Sequence, residues 1–61
     1  MDITITINTD NSAFEDDNLS FEVARILHEL ATKIEGGISS GKTMKLQDCN
    51  GNQVGIIETN D

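Results

Sequence analysis

Hydrophobic and polar positions change period twice along this chain. After Asp2, Ile3, Ile5 and Ile7 alternate with Thr4, Thr6 and Asn8. A period of two in β-branched side chains predicts a strand with Ile on its inner face and Thr on its outer face. Residues 9–18, TDNSAFEDDN, break the alternation with Asp, Asn and Ser, and read as a loop.

Over residues 19–35 the spacing becomes helical. At about 100° per residue, Leu19, Val23, Ala24, Ile26, Leu27, Leu30, Ala31 and Ile34 share one arc, and Glu22, Arg25, His28, Glu29, Thr32, Lys33 and Glu35 fill the other. The pattern predicts an amphipathic helix covering a core. Asp17, Asn18 or Ser20 offers an N-cap, the acids just before the helix suit its positive end, and Gly36 and Gly37 supply a left-handed stop. Phe21 falls on the polar arc. Two placements for it stay open: local packing in an irregular first turn, or an exposed anchor for a partner.

Alternation returns in KTMKLQD, where Met44 and Leu46 are two apart, and in NQVGIIET, where Val54 and Ile56 are two apart. A two-residue Asn50-Gly51 turn would set Leu46 opposite Gly55 and send Val54 and Ile56 to the wrong face. A three-residue loop of Cys49, Asn50 and left-handed Gly51 pairs Met44 with Ile56 and Leu46 with Val54. That register puts Val54 and Ile56 inside and Ile57 outside. The expected fold is a single α+β domain over residues 1–61, β-α-β-β, a three-stranded antiparallel sheet in order 1-3-2 with the helix on one face. A parallel pairing of the first strand with the second is the competing topology.

Composition adds a constraint on size. A chain of 61 residues with two Phe and no Trp or Tyr stands near the lower limit for a self-sufficient core, which favours self-association. The first strand is then an edge, and ITITI carries no charge or Pro to block pairing. A homodimer is expected through Ile3, Thr4, Ile5, Thr6 and Ile7, with Ile57 on the outer face as a second contact. The single Cys49 excludes an internal disulfide, and no basic segment precedes a long apolar run, so a cytoplasmic location is expected.

A net charge of −7, from eleven carboxylates against Arg25, Lys33, Lys42 and Lys45, repels phosphate backbones and anionic lipid. Neither nucleic acid nor a membrane is an expected partner.

Three motifs invite a chemical reading. Gly36, Gly41, Lys42 and Thr43 match the phosphate-loop pattern G-x-x-x-x-G-K-[ST]. Such a loop needs a strand before it and a helix after it, so that helix-start amides meet the phosphate. Here the order is reversed. Asp48, Asn50 and Asn52 occupy the first, third and fifth places of a calcium loop, but Gln53 stands where the turn needs Gly, and Thr59 where it needs a bidentate Glu. A hairpin turn accounts for these residues. His28 and Cys49 are too few for a tetrahedral metal site or a catalytic triad. The expectation is therefore no catalytic residue, no metal and no cofactor.

The helix charges pair locally, Glu22 with Arg25, Arg25 with Glu29, and Glu29 with Lys33. Asp10, Glu15, Asp16 and Asp17 around Phe14 have no such counterpart, because no basic residue precedes Arg25. One reading is a solvated loop with Phe14 tucked beneath as a staple. The other is an acidic patch, Asp10, Phe14, Glu15, Asp16, Asp17 and Phe21, that docks on a basic surface of a host protein.

ITINTDNSAFEDD, followed by EVARIL in a short amphipathic helix and a closing D-x-NGN-x-VG, resembles a group of short proteins encoded by bacteriophages and prophages. The resemblance spans most of the chain and carries no catalytic motif. It implies a context in which small acidic proteins inhibit host enzymes or antiviral defence complexes, some by imitating DNA. Three functions are therefore weighed: a non-enzymatic protein-binding modulator, an acidic nucleic-acid mimic, and a nucleotide-binding protein using residues 36–43. A mimic needs a long ordered row of carboxylates. Here the unpaired ones gather in one loop, so the binding module ranks first.

Overall fold

The computed structural model describes all 61 residues. Strand β1 (Asp2–Ile7), a 3-10 turn (Ser12–Phe14), helix α1 (Asn18–Glu35) and strands β2 (Thr43–Gln47) and β3 (Gln53–Asn60) follow in order. The strands form one antiparallel sheet, β1-β3-β2, the α+β arrangement that the sequence predicts. β1 runs antiparallel to β3 from Asp2↔Asn60 to Ile7↔Gly55, so the parallel alternative does not form.

The β2-β3 turn has the expected three-residue loop. Asp48 N–H donates to the Asn52 carbonyl at 2.9 Å, Gly51 N–H donates to the Asp48 carbonyl at 3.1 Å, and Gly51 has φ +84°. Gln47 then faces Gln53, as expected. One residue further the ladder slips, and Leu46 pairs with Gly55 and Met44 with Ile57. Val54 is the extra residue of a bulge.

The bulge inverts the phase of β3 and corrects the expected faces. Val54 points inward before it, Ile57 and Thr59 point inward after it, and Ile57 at 1% exposure is the most buried side chain of the core. Ile57 is thus unavailable to the outer-face contact expected of it. Ile56 takes the outer face instead, between Thr6 of β1 and Lys45 of β2.

Six apolar side chains make the core: Phe14, Ile26, Leu30, Leu46, Val54 and Ile57. The buried stripe of α1, Glu22, Ile26 and Leu30, is narrower than the apolar arc of the sequence, and Leu19 and Leu27 stay 45% and 42% exposed. The cause is where the helix lies. Its Arg25, Glu29 and Lys33 flank borders a hollow shared with Lys45 and Gln47, and Arg25 donates to the Gln47 carbonyl at 3.0 Å. The helix therefore leans over β2. Ile3 and Ile5, whose partners Thr59 and Ile57 point inward, share the helix-facing side of the sheet yet remain 48% and 44% exposed.

Candidate functional site

The loop between β1 and α1 is fastened from beneath. Asn11 accepts the Ala13 N–H on Oδ1 at 2.8 Å and donates through Nδ2 to Asp48 Oδ2 at 2.9 Å, which ties the loop to the β2-β3 turn. Phe14, closing the 3-10 turn, is 4% exposed and belongs to the core. Asn18 N–H donates to the Glu15 carbonyl at 3.0 Å, and Asp16 holds a left-handed φ of +53°, a conformation that Asp tolerates better than most side chains. Asp17 is the N-cap residue, without a side-chain capping bond.

The surface left by this anchoring is acidic. Glu15, Asp16 and Asp17 are exposed and make no ion pair, since the ion pairs of the molecule join Arg25 to Glu22 and Glu29. Asp10 stands apart, beside Asn8, Asn11 and Gln53. Of the two aromatic candidates, the structure removes Phe14 from any contact surface, because its ring is the staple. Phe21 takes the exposed placement at 74%, bordering a hollow with Ala13, Asn18 and Cys49. An acidic corner with one protruding ring is the result. The expected Glu29–Lys33 pair is not among the ion pairs.

Two carboxylates that the sequence placed on polar positions turn out to be structural. Glu22 is 7% exposed; it takes Arg25 Nε on Oε1 at 2.8 Å, and Arg25 Nη2 and the Cys49 N–H on Oε2 at 3.2 and 2.7 Å. The Arg25 hydrogen bond holds its carboxyl below the ordinary value. Asp48 is 5% exposed; Oδ1 accepts the Asn50 and Asn52 amides, both at 2.9 Å, and Oδ2 accepts Asn11 and Asn52 side-chain amides. Burial pushes Asp48 up, but the Asn52 amides and their neighbours outweigh it and leave its carboxyl low. Both carboxylate oxygens of Asp48, the first position of the calcium-like run, are thus taken by amides of the turn and of Asn11.

The phosphate-loop match is also consumed by the fold. Gly41 N–H donates to the Thr59 carbonyl at 2.7 Å, and Lys42 N–H to Thr59 Oγ1 at 3.0 Å, while the same hydroxyl donates to the Ser39 carbonyl at 2.6 Å. The Gly41 and Lys42 amides, which an anion would need, are committed to β3. Thr59, 2% exposed, entered the sequence reading only as the residue standing where a calcium loop needs Glu, and the expected strand phase would have turned it outward.

Cys49 is exposed at the turn, and partial desolvation with the Glu22 carboxylate pushes its thiol above the ordinary 9.0, away from a thiolate nucleophile at neutral pH. No three His, Cys, Asp or Glu side chains gather in a metal-holding group. No helix is long and apolar enough to cross a membrane. Set against family models, curated proteins and solved structures, the chain matches none of them.

Proposed function

We propose that this protein is a non-enzymatic protein-binding module whose partner meets the corner formed by Glu15, Asp16, Asp17 and Phe21. The observation that carries the reading is Phe21, a ring 74% exposed on the first turn of α1, four residues beyond the last of three exposed carboxylates without ion pairs. An exposed aromatic costs solubility and contributes nothing to this core, whereas beside unpaired acid it has the makeup of an interface anchor with a charged rim. The loop beneath is pinned by Phe14 and by Asn11, so little ordering entropy is lost when a partner docks. The resemblance to short phage-encoded proteins supports a modulator or inhibitor of a host protein or antiviral defence complex, with a basic surface opposite the corner.

The charge should speed association and weaken it as salt rises. The experiment is a pull-down from host lysate at low and high ionic strength, followed by binding measurements on the isolated partner. The variant Glu15→Gln, Asp16→Asn, Asp17→Asn keeps the fold, since Asn also tolerates the left-handed conformation of residue 16. Its affinity should fall and lose most of its salt dependence. Phe21→Ala should lower affinity at every ionic strength. Unchanged affinity in both variants would remove this corner as the docking surface.

A further inference from the structure

The open edge of β1 has a defined hydrogen-bonding phase. Asn8 N–H donates to the Val54 carbonyl at 2.7 Å, continuing the β1-β3 register. Hydrogen-bonded positions alternate along an antiparallel pair, so Asp2, Thr4 and Thr6 spend their backbone groups on β3. The N–H and C=O groups of Ile3, Ile5 and Ile7 point away from the sheet.

We propose that these groups pair with β1 of a second copy of this chain, antiparallel about a two-fold axis at Ile5. In that register Ile5 meets its counterpart, Ile3 meets the partner's Ile7, and Thr4 meets the partner's Thr6. All three outward positions find partners. The strand is self-complementary in charge as well: in a chain of net charge −7, β1 carries only Asp2, which would face the partner's Asn8. The opposite edge differs, because β2 carries Lys45 and its Gln47 carbonyl is already taken by Arg25.

The side chains point to the same occupant. An antiparallel join about an axis perpendicular to the sheet keeps both helices on one face. Ile3, Ile5 and Ile7 of the two copies then form one continuous apolar row between the two α1 helices. Because Arg25, Glu29 and Lys33 turn toward β2, helical geometry carries Leu27 toward β1, so the apolar flanks border that row from both sides. Ile3, Ile5 and Leu27, 48%, 44% and 42% exposed in one copy, are among the large apolar residues that a six-side-chain core leaves uncovered. This surface is distinct from the acidic corner and stands independently of it.

Sedimentation of the full chain should give twice the 6.6 kDa chain mass at high micromolar concentration. Amide exchange at Ile3, Ile5 and Ile7 should be slow there and fast after dilution, while Thr4 and Thr6, bonded to β3, stay protected at both. Ile5→Lys, which would set two ammonium groups face to face at the axis, should weaken the dimer about 100-fold or more. Thr43→Lys on the far edge should leave it unchanged. If Ile5→Lys unfolds, the exchange pattern of the parent decides alone. A parent of single-chain mass at high micromolar concentration, or a dimer whose Ile3, Ile5 and Ile7 amides exchange freely, overturns the proposal.

Discussion

The carbonyl oxygen of Thr6 lies 2.0 Å from the point a Cβ would occupy on Gly55. No side-chain rotation relieves that contact, because the atom met is backbone. Gly55→Ala must therefore part β1 from β3 at the bulge, at a cost of about 2–4 kcal/mol. A chain of this length has only roughly 3–9 kcal/mol in total. Urea unfolding of Gly55→Ala should show a midpoint far below the parent; a midpoint within error of it would mean that the β1-β3 pair relaxes freely around the added methyl.

Acid should unfold the protein through Glu22 and Asp48. Both carboxyls titrate lower in the fold than their ordinary values of 4.5 and 3.8. A depressed folded value means the contribution is fully present above the unfolded value and is lost as pH falls through the folded one. Stability should hold steady down to about pH 4.5 and then decline through Glu22 first and Asp48 next. Urea midpoints taken from neutral pH to about pH 2 test this. Glu22→Gln should be less stable than the parent at neutral pH and show a shallower acid decline; an identical decline would place the acid sensitivity elsewhere.

The two phenylalanines should separate cleanly. Phe14→Ala empties the space under the loop and should cost about 3–5 kcal/mol, enough to leave much of the population unfolded. Phe21→Ala should shift stability by no more than about 0.5 kcal/mol. Thermal melts of the two variants, with far-UV circular dichroism for helix content, distinguish core from contact surface; comparable losses in both would contradict their different burial.

Thr59→Val preserves shape but deletes the hydroxyl that accepts from Lys42 and donates to Ser39. With a part-buried donor and acceptor left unmatched, the loss should be about 1 kcal/mol. Exchange of the Lys42 amide should accelerate in parallel. If that amide already exchanges freely in the parent, the loop over residues 36–43 is not fastened to β3 as described.

Much of this fold could be read from periodicity. Ile3, Ile5 and Ile7 marked β1, Gly51 marked the turn, and apolar alternation in the last strand favoured its central place. The phase of β3 was not legible in the same way, since Val54, Ile56 and Ile57 permit two alternations and only the bulge chooses between them. Gly55 carried the signal, because a glycine inside a strand often marks a bulge or a close backbone approach. Helical periodicity located α1 but not its tilt toward β2, so Leu19 and Leu27 counted as core. The Glu22–Arg25 pair and the hairpin turn at Asp48 were legible, but the burial of both carboxylates was not, because polarity alone does not reveal that the Cys49 amide and a set of Asn amides converge on them. Within the acidic corner, the carboxylates were evident from charge, whereas the roles of Phe14 and Phe21 depended on packing across the loop.

β3 is the partner of both other strands, and it is the last of the three to be synthesised. During synthesis, β1 emerges first as a run of isoleucine and threonine with no native neighbour for most of the chain's length. Asp2↔Asn60 pairing is nearly as non-local as these 61 residues permit, and such contacts close slowly. Folding of the sheet is thus gated by the arrival of β3, without which neither β1 nor β2 has a neighbour.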